Sequence, residues 1–317
     1  MKPRGETANP PRPLPPEGAL LLVDKPRGPT SHDVVNRLRR LFGLRRVGHG
    51  GTLDPMATGL LVAALGPATR LLQFLTGLDK EYEGEITLGA VSSTYDAEGE
   101  IAPRGEAGAW PAPGRVEEAM RRFEGLIEQR PPAYSAIKSK GRPLYEQARR
   151  GLAVSVAPRP ARVDFFQLTD CAAPTIRFRC RVSSGTYVRS LAHDLGQALG
   201  CGAYLSALRR TTVGPHRVEE ACCLEWLESD PPRAWERLLS PSQALGHLAR
   251  VEVAGAAAAR LENGVAFGSG EIVRASRTDR PGEPVAAVDS GGRLLAVCRR
   301  EAEGEPYRPI CVFPSRR

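Results

Sequence analysis

Asp54 stands in the string Gly48-His-Gly-Gly-Thr-Leu-Asp-Pro-Met-Ala-Thr-Gly-Leu-Leu61, a glycine-rich loop that runs into the apolar residues Leu60 to Leu65. Pro55 biases the residue before it toward an extended backbone, so the carboxylate rides on a stiff loop rather than a mobile one. The glycines before it add no side chain and let a bulky ligand approach the backbone. One acid on a rigid, crowded loop suits a nucleophilic carboxylate. Asp-Pro and Gly-Gly pairs also mark ordinary turns, so these pairs alone do not separate chemistry from a bend. Two-carboxylate hydrolysis needs a second acid near the first. None stands in this loop, although Asp24, Asp33 and Asp194 are candidates to approach in space.

The elements that must hold such a loop follow from apolar spacing. Gly18-Ala-Leu-Leu-Leu-Val-Asp-Lys-Pro reads as a short buried strand and a turn. Thr30 and Ser31 are both cap residues for a helix whose Val34, Val35, Leu38, Leu41 and Phe42 share a face, and Gly43 stops it. Tyr82-Glu-Gly-Glu-Ile-Thr-Leu-Gly alternates as a strand does. Residues 102 to 114 read as a surface loop, before a helix with Val116, Ala119, Met120 and Phe123 at helical spacing. Strands are expected over 161 to 168 and 175 to 182. In the second, Arg177, Arg179 and Arg181 face away from Ile176, Phe178, Cys180 and Val182, a row that suits either solvent or RNA. A helix over 187 to 199 buries Val188, Leu191, Ala192, Leu195 and Leu199, and Gly200 ends it. Beyond about residue 240 short apolar runs alternate with Gly, Asp and Pro. There Asp289-Ser-Gly-Gly is a hairpin turn in a small β-rich domain.

The 317 residues are enough for one large domain and a smaller one. Residues 1 to 18, proline-rich and poor in large apolar side chains, read as a disordered tail. The formal charge of +8 suits a polyanionic partner, and 39 of the 44 cations are arginine, the better phosphate fork. A coding bias toward Ala, Gly, Pro and Arg explains that excess equally well. Residues 130 to 150 carry Arg130, Lys138, Lys140, Arg142, Arg149 and Arg150 against Glu146 and interleave Tyr134 and Tyr145, a pattern that suits RNA backbone contact with some stacking or a solvated basic helix. The seven cysteines show no Cys-x-x-Cys pair and fit reduced thiols. No run approaches a membrane span and no apolar leader precedes the first strand, so a cytoplasmic protein is expected.

The whole string Gly-His-x-Gly-x-Leu-Asp-Pro-x-Ala-x-Gly resembles the catalytic signature of the tRNA pseudouridine synthase B family and departs from it at no fixed position. Three further segments match that family in order. Lys80-Glu-Tyr82 resembles its Lys-x-Tyr motif, Gly185-Thr-Tyr-Val-Arg189 its Gly-Thr-Tyr-[Ile/Val]-Arg motif, and Leu208-Arg-Arg its Leu-Arg-Arg motif. Pro131 to Lys138, running on to Leu144-Tyr-Glu, resembles the thumb-like insertion that grips the tRNA T-arm, and the matches cover most of residues 19 to 215.

The resemblance implies an α+β fold. A mixed, mainly antiparallel sheet forms a catalytic domain over 19–240, with the insertion at about 130–151, and a PUA-like RNA-binding domain follows over 246–317. It implies isomerisation of uridine 55 in the T-loop: the N1–C1′ bond breaks, the base turns, and C5 bonds to C1′. The base must first leave its stack. No electrons are exchanged, so no cofactor and no metal is expected. Asp54 is the implied nucleophile, with Arg189 paired to it. Tyr82 stacks on the base and is a candidate for C5 proton transfer, although a free phenol, with pKa about 10, is a poor base. Leu208 forms an apolar wall, His49 fills the vacated stack or meets phosphate, and Gly51, Thr52 and Lys80 belong to the same substrate contact. Lys138, Lys140 and Arg142 hold RNA. The partner is tRNA, with no membrane and no obligatory protein partner, and the chain is expected to be a monomer. Rivals are the catalytic subunit of a guide-RNA-directed synthase, which shares the core motif, and a non-catalytic RNA-binding or RNA-folding protein.

Overall fold

The computed structural model describes residues 13–104, 110–132, 138–139, 142–143 and 157–313. The chain divides into two compact units. One is built from the residues up to Asp54, Leu60–Thr76 and everything from Gly214 onward; the other from Pro55–Gly59 and Gly77–Val213.

In the first unit β1 (Ala19–Lys25) and β3 (Thr58–Leu65) are neighbours in the sheet, and β2 (Val47–His49) runs antiparallel to β3, with His49 opposite Ala63. Helix α1 (Ser31–Phe42) starts at a capping box in which Thr30 Oγ1 accepts from the Asp33 N–H and the Asp33 carboxylate accepts from the Thr30 N–H. Gly43 closes it in the left-handed region at φ 64°. Its apolar face, Val34, Val35, Leu38 and Phe42, packs with Leu21, Val23, Leu61 and Leu65 into one core. Of residues 1–18, read as a disordered tail, only 13–18 are among the described residues. Leu14 packs against this core, and the Gly18 N–H reaches the Pro15 carbonyl at 2.8 Å. Helix α2 (Leu72–Thr76) follows β3 through a 3-10 turn.

The later part of this unit is a five-stranded sheet between Ala249 and Val312, ordered Ile272–Ala275, Ala249–Val253, Val285–Val288, Leu294–Arg299, Arg308–Val312. It has a core of its own around Val251, Leu261, Phe267, Val285, Leu295 and Tyr307. The Asp289 turn joins its hairpin as expected, with the carboxylate accepting from the Gly291 and Arg293 N–H groups, both at 3.0 Å. Arg70 donates to the Val312 carbonyl at 2.7 Å and lies over the Phe313 ring.

The second unit is an antiparallel sheet ordered β12 (Ala203–Val213), β4 (Lys80–Leu88), β11 (Thr175–Val182), β10 (Arg159–Ala172), β7 (Gly125–Gln129). Thr58 and Gly59 add to its β12 edge in parallel, opposite Arg209 and Arg210. Helices α3 (Pro113–Arg121) and α4 (Val188–Leu199) pack together, on β10 and β12 respectively. Strict alternation puts Ile176, Phe178, Cys180 and Val182 in the core and Arg177, Arg179 and Arg181 outside. A short hairpin, β5 (Ala90–Ser92) and β6 (Ile101–Pro103), lies beyond β4. Strands β8 (Lys138–Ser139) and β9 (Arg142–Pro143) form a second small hairpin.

Candidate active site

The loop before Asp54 is fixed from behind by one hydroxyl. Ser31 Oγ, in a side chain 2% exposed, accepts from the Leu53 N–H at 2.8 Å and donates to the Leu53 carbonyl at 3.1 Å. Thr30 makes the cap, and Ser31, read as its equivalent, instead clamps the residue next to the candidate nucleophile. Upstream, the Gly50 N–H binds the Val62 carbonyl at 2.8 Å, and His49 Nδ1 accepts from the Gly51 N–H at 3.4 Å. Asp54, His49 and Gly51 are half-buried and Thr52 is exposed. The turn ahead of α1 is held by Lys25, fully buried, whose Nζ donates to the carbonyls of Pro26 and Pro29 at 2.9 and 2.7 Å.

Two glycines of the motif have close protein neighbours: Gly48, one of those expected to admit ligand, and Gly59, beyond Asp54. A Cβ on Gly48 would lie 2.9 Å from Leu72 Cδ1. One on Gly59, at φ +99°, would lie 2.3 Å from the Arg210 carbonyl oxygen and 2.7 Å from its nitrogen. Gly59 is required because two backbones meet there, and any side chain would push β3 off β12.

In the second unit β4 and β12 bring the motif residues side by side. Tyr82 faces Arg210 across the ladder, and Leu208 faces Gly84. Tyr82 and Leu208 are both buried, at 8% exposure. Thr58 Oγ1 also reaches the Leu208 carbonyl at 3.4 Å. Lys80 and Arg210 are buried as well, and Lys80 Nζ donates to the Leu78 carbonyl at 2.6 Å. Burial, with the Arg210 guanidinium nearby, brings the Lys80 ammonium down from its ordinary 10.5 to about 8, against the pull of Asp79. Lys80 is thus held at the start of β4 among buried groups.

Arg189 is buried on the first turn of α4. Its Nη1 meets the Asp96 carboxylate at 3.2 Å and the Thr94 carbonyl at 3.2 Å, in a pair whose side chains are 7% and 2% exposed. Asp96 also accepts from Thr94 Oγ1 at 2.5 Å and the Glu98 N–H at 3.0 Å. The turn is tight enough to put Tyr95 at φ 66°, and its ring stacks on His193, one helical turn after Arg189, at 3.9 Å. Sequence reasoning missed Asp96, Ser31 and the burial of Arg210. Only Arg210 left a signal, as the second arginine of a matched motif.

Two of the three exposed arginines are charge-paired: Arg177 meets Glu85 at 3.0 Å, and Arg181 meets Asp164 at 3.2 Å and Glu81 at 3.6 Å, while Arg179 lies over the Phe165 ring. Those carboxylates offset part of the attraction the row would offer to phosphate. Of the insertion residues, Lys138 and Arg142 have described backbone only, and Lys140 lies outside the described residues, as do Tyr134 and Tyr145. Among the described helices none is long and apolar enough to cross a membrane. All seven cysteines are free thiols.

Residues 39–188 match the model of the TruB family pseudouridylate synthase N-terminal domain, and residues 189–241 match that of the tRNA pseudouridylate synthase B C-terminal domain. The chain is 50% identical over 230 residues to the tRNA pseudouridine synthase B of Opitutus terrae, an alignment covering 71% of this chain and 93% of that one. To the protein of the same name from Syntrophotalea carbinolica it is 44% identical over 300 residues, covering 93% and 97%. Among solved structures, a Cbf5–Nop10–Gar1 complex matches with TM-score 0.74 at 28% identity over 98% of this chain and 93% of that one. An H/ACA RNP bound to a substrate RNA containing 2′-deoxyuridine matches with TM-score 0.73 at 27% identity, covering 98% and 92%.

Proposed function

This chain belongs to the TruB family of pseudouridylate synthases, and from that premise we propose how its own residues act and on which uridine. It is an isomerase that converts uridine to pseudouridine in tRNA as a stand-alone enzyme, the activity its relatives are named for. The proposed target is uridine 55 of the T-loop. Asp54 is the nucleophile, Arg189 is the cation that keeps it ionised and aimed, and Tyr82 stacks on the everted base beside a wall made by Leu208. His49, Gly51, Thr52 and Lys80 support the base and the loop, and the 130–151 insertion with Lys138, Lys140 and Arg142 holds the T-arm.

The observation that carries this reading is the clamp on the loop. Ser31 fixes Leu53 on one side of Asp54, and on the other only Pro55, Met56 and Ala57 separate it from Thr58, which is paired with β12. A carboxylate tethered that tightly at both ends is pre-organised for in-line attack or for charge stabilisation.

A second reading, catalysis as the guided subunit of a ribonucleoprotein, is favoured by the likeness to the Cbf5 complexes. The stand-alone reading is favoured by higher identity to proteins named as tRNA synthases, across nearly their whole length. The PUA-like role of the C-terminal sheet, a monomeric state without an obligatory partner and a cytoplasmic location belong to the same proposal. Purified chain should convert a uridine in the T-loop of an unmodified tRNA transcript with no other component present. Conversion only after a guide RNA or protein partner is added would favour the second reading, and conversion at another position would displace uridine 55.

A further inference from the structure

Helix α4 begins without a cap of its own. Its N-cap is Tyr187, which supplies no side-chain cap, so the first-turn N–H groups are not served in the usual way. In a capping box the third helical residue is a Glu or Gln that reaches back to the N-cap N–H. Here that residue is Ser190, and its Oγ instead donates to the Arg130 carbonyl at 3.0 Å.

The missing half of the box comes from 58 residues earlier in the chain. Gln129, the last residue of β7 and 3% exposed, accepts from the Tyr187 N–H at 2.7 Å through Oε1 and donates to the Tyr187 carbonyl at 2.9 Å through Nε2. A carboxamide carries a donor and an acceptor in one plane, as a peptide edge does, so it satisfies both groups at once. A carboxylate serves only the N–H, and an apolar side chain serves neither. Three hydrogen bonds therefore fasten the end of β7 to the first turn of α4, and Arg189 is the second residue of that turn. The same strand end leads into the 130–151 insertion. Beside it opens a cavity of about 280 Å³ lined by Gln129, Arg159, Ser184, Gly185 and Tyr187.

We propose that Gln129 is a positioning residue for the isomerisation: by fixing the Tyr187 peptide it sets the direction from which Arg189 enters the site. The inference rests on the reading that Arg189 serves the reaction. Gln129 itself touches neither the base nor Asp54 in this account. Its contribution belongs to the rate of the bound complex and not to the affinity for RNA.

Gln129→Leu and Gln129→Glu test this in the full chain, with single-turnover pseudouridine formation, tRNA Kd and amide hydrogen exchange measured for each. The leucine variant should exchange faster in peptides spanning 184–191. Its bound-complex rate should fall about 10- to 100-fold, with Kd within about twofold of wild type, since small misplacements cost rate in this range. The glutamate variant, keeping the acceptor for the Tyr187 N–H, should lose less. Faster exchange with an unchanged rate, or a loss confined to Kd, overturns the proposal. If the leucine variant does not fold, the glutamate variant is judged on the same rate and Kd. A wild-type protein that makes no pseudouridine defeats the underlying reading instead, an outcome distinct from an active wild type matched by its Gln129 variants.

Discussion

Arg189 and Asp96 form a pair in which neither charge has access to bulk water, and that fixes what their loss should do. Removing one partner of a buried ion pair costs about 3–5 kcal/mol, whereas removing both costs much less than the sum. Urea unfolding of Asp96→Ala, Arg189→Ala and the double variant should show this non-additivity. Costs that simply add would mean the two side chains act separately. Lys80 gives a second expectation, with its sign set by burial. Its folded value, about 8, lies below the unfolded 10.5, so between these pH values the unfolded chain binds the extra proton. The Lys80 contribution is therefore a penalty fully present below pH 8 and lifted as pH rises to about 10.5. Relative to Lys80→Met, wild-type stability should climb by up to about 3 kcal/mol across that window. A flat difference would show that Lys80 is not desolvated.

At the scale of elements, the loop that carries Asp54 owes its geometry to α1 through Ser31. Ser31→Ala should cost about 1–3 kcal/mol by leaving the Leu53 peptide without its clamp. It should also lower turnover about tenfold while tRNA Kd stays put. Unchanged turnover would detach the clamp from catalysis. Period and caps made the elements themselves readable. α1, β11 and α4 each bury one face, so Val34 to Phe42, Ile176 to Val182 and Val188 to Leu199 carry their own addresses. What stayed hidden depends on partners distant in sequence. Thr30 and Ser31 are equal by residue type, and only the approach of Leu53 assigns them different work. Asp96 lies in a tight turn with a left-handed Tyr95, outside any periodic pattern, and meets Arg189 across almost a hundred residues of chain. The need for glycine at position 59 shows only once Arg210 is laid against it. The arginines of β11 read as a row of like charge because their carboxylates come from β4 and β10.

Across the whole molecule, the proposed function assigns recognition and chemistry to different residues. Charge for a polyanion is dispersed, whereas the proposed reacting oxygen belongs to a single side chain. Grip on tRNA should therefore survive loss of the nucleophile. The decisive measurement compares wild type with Asp54→Asn on one unmodified tRNA, mapping pseudouridine at each position and measuring Kd in parallel. Pseudouridine at uridine 55 with wild type alone, and a mutant Kd within a few-fold of it, is the predicted result. Pseudouridine formed by Asp54→Asn at a comparable rate would contradict the account at its centre.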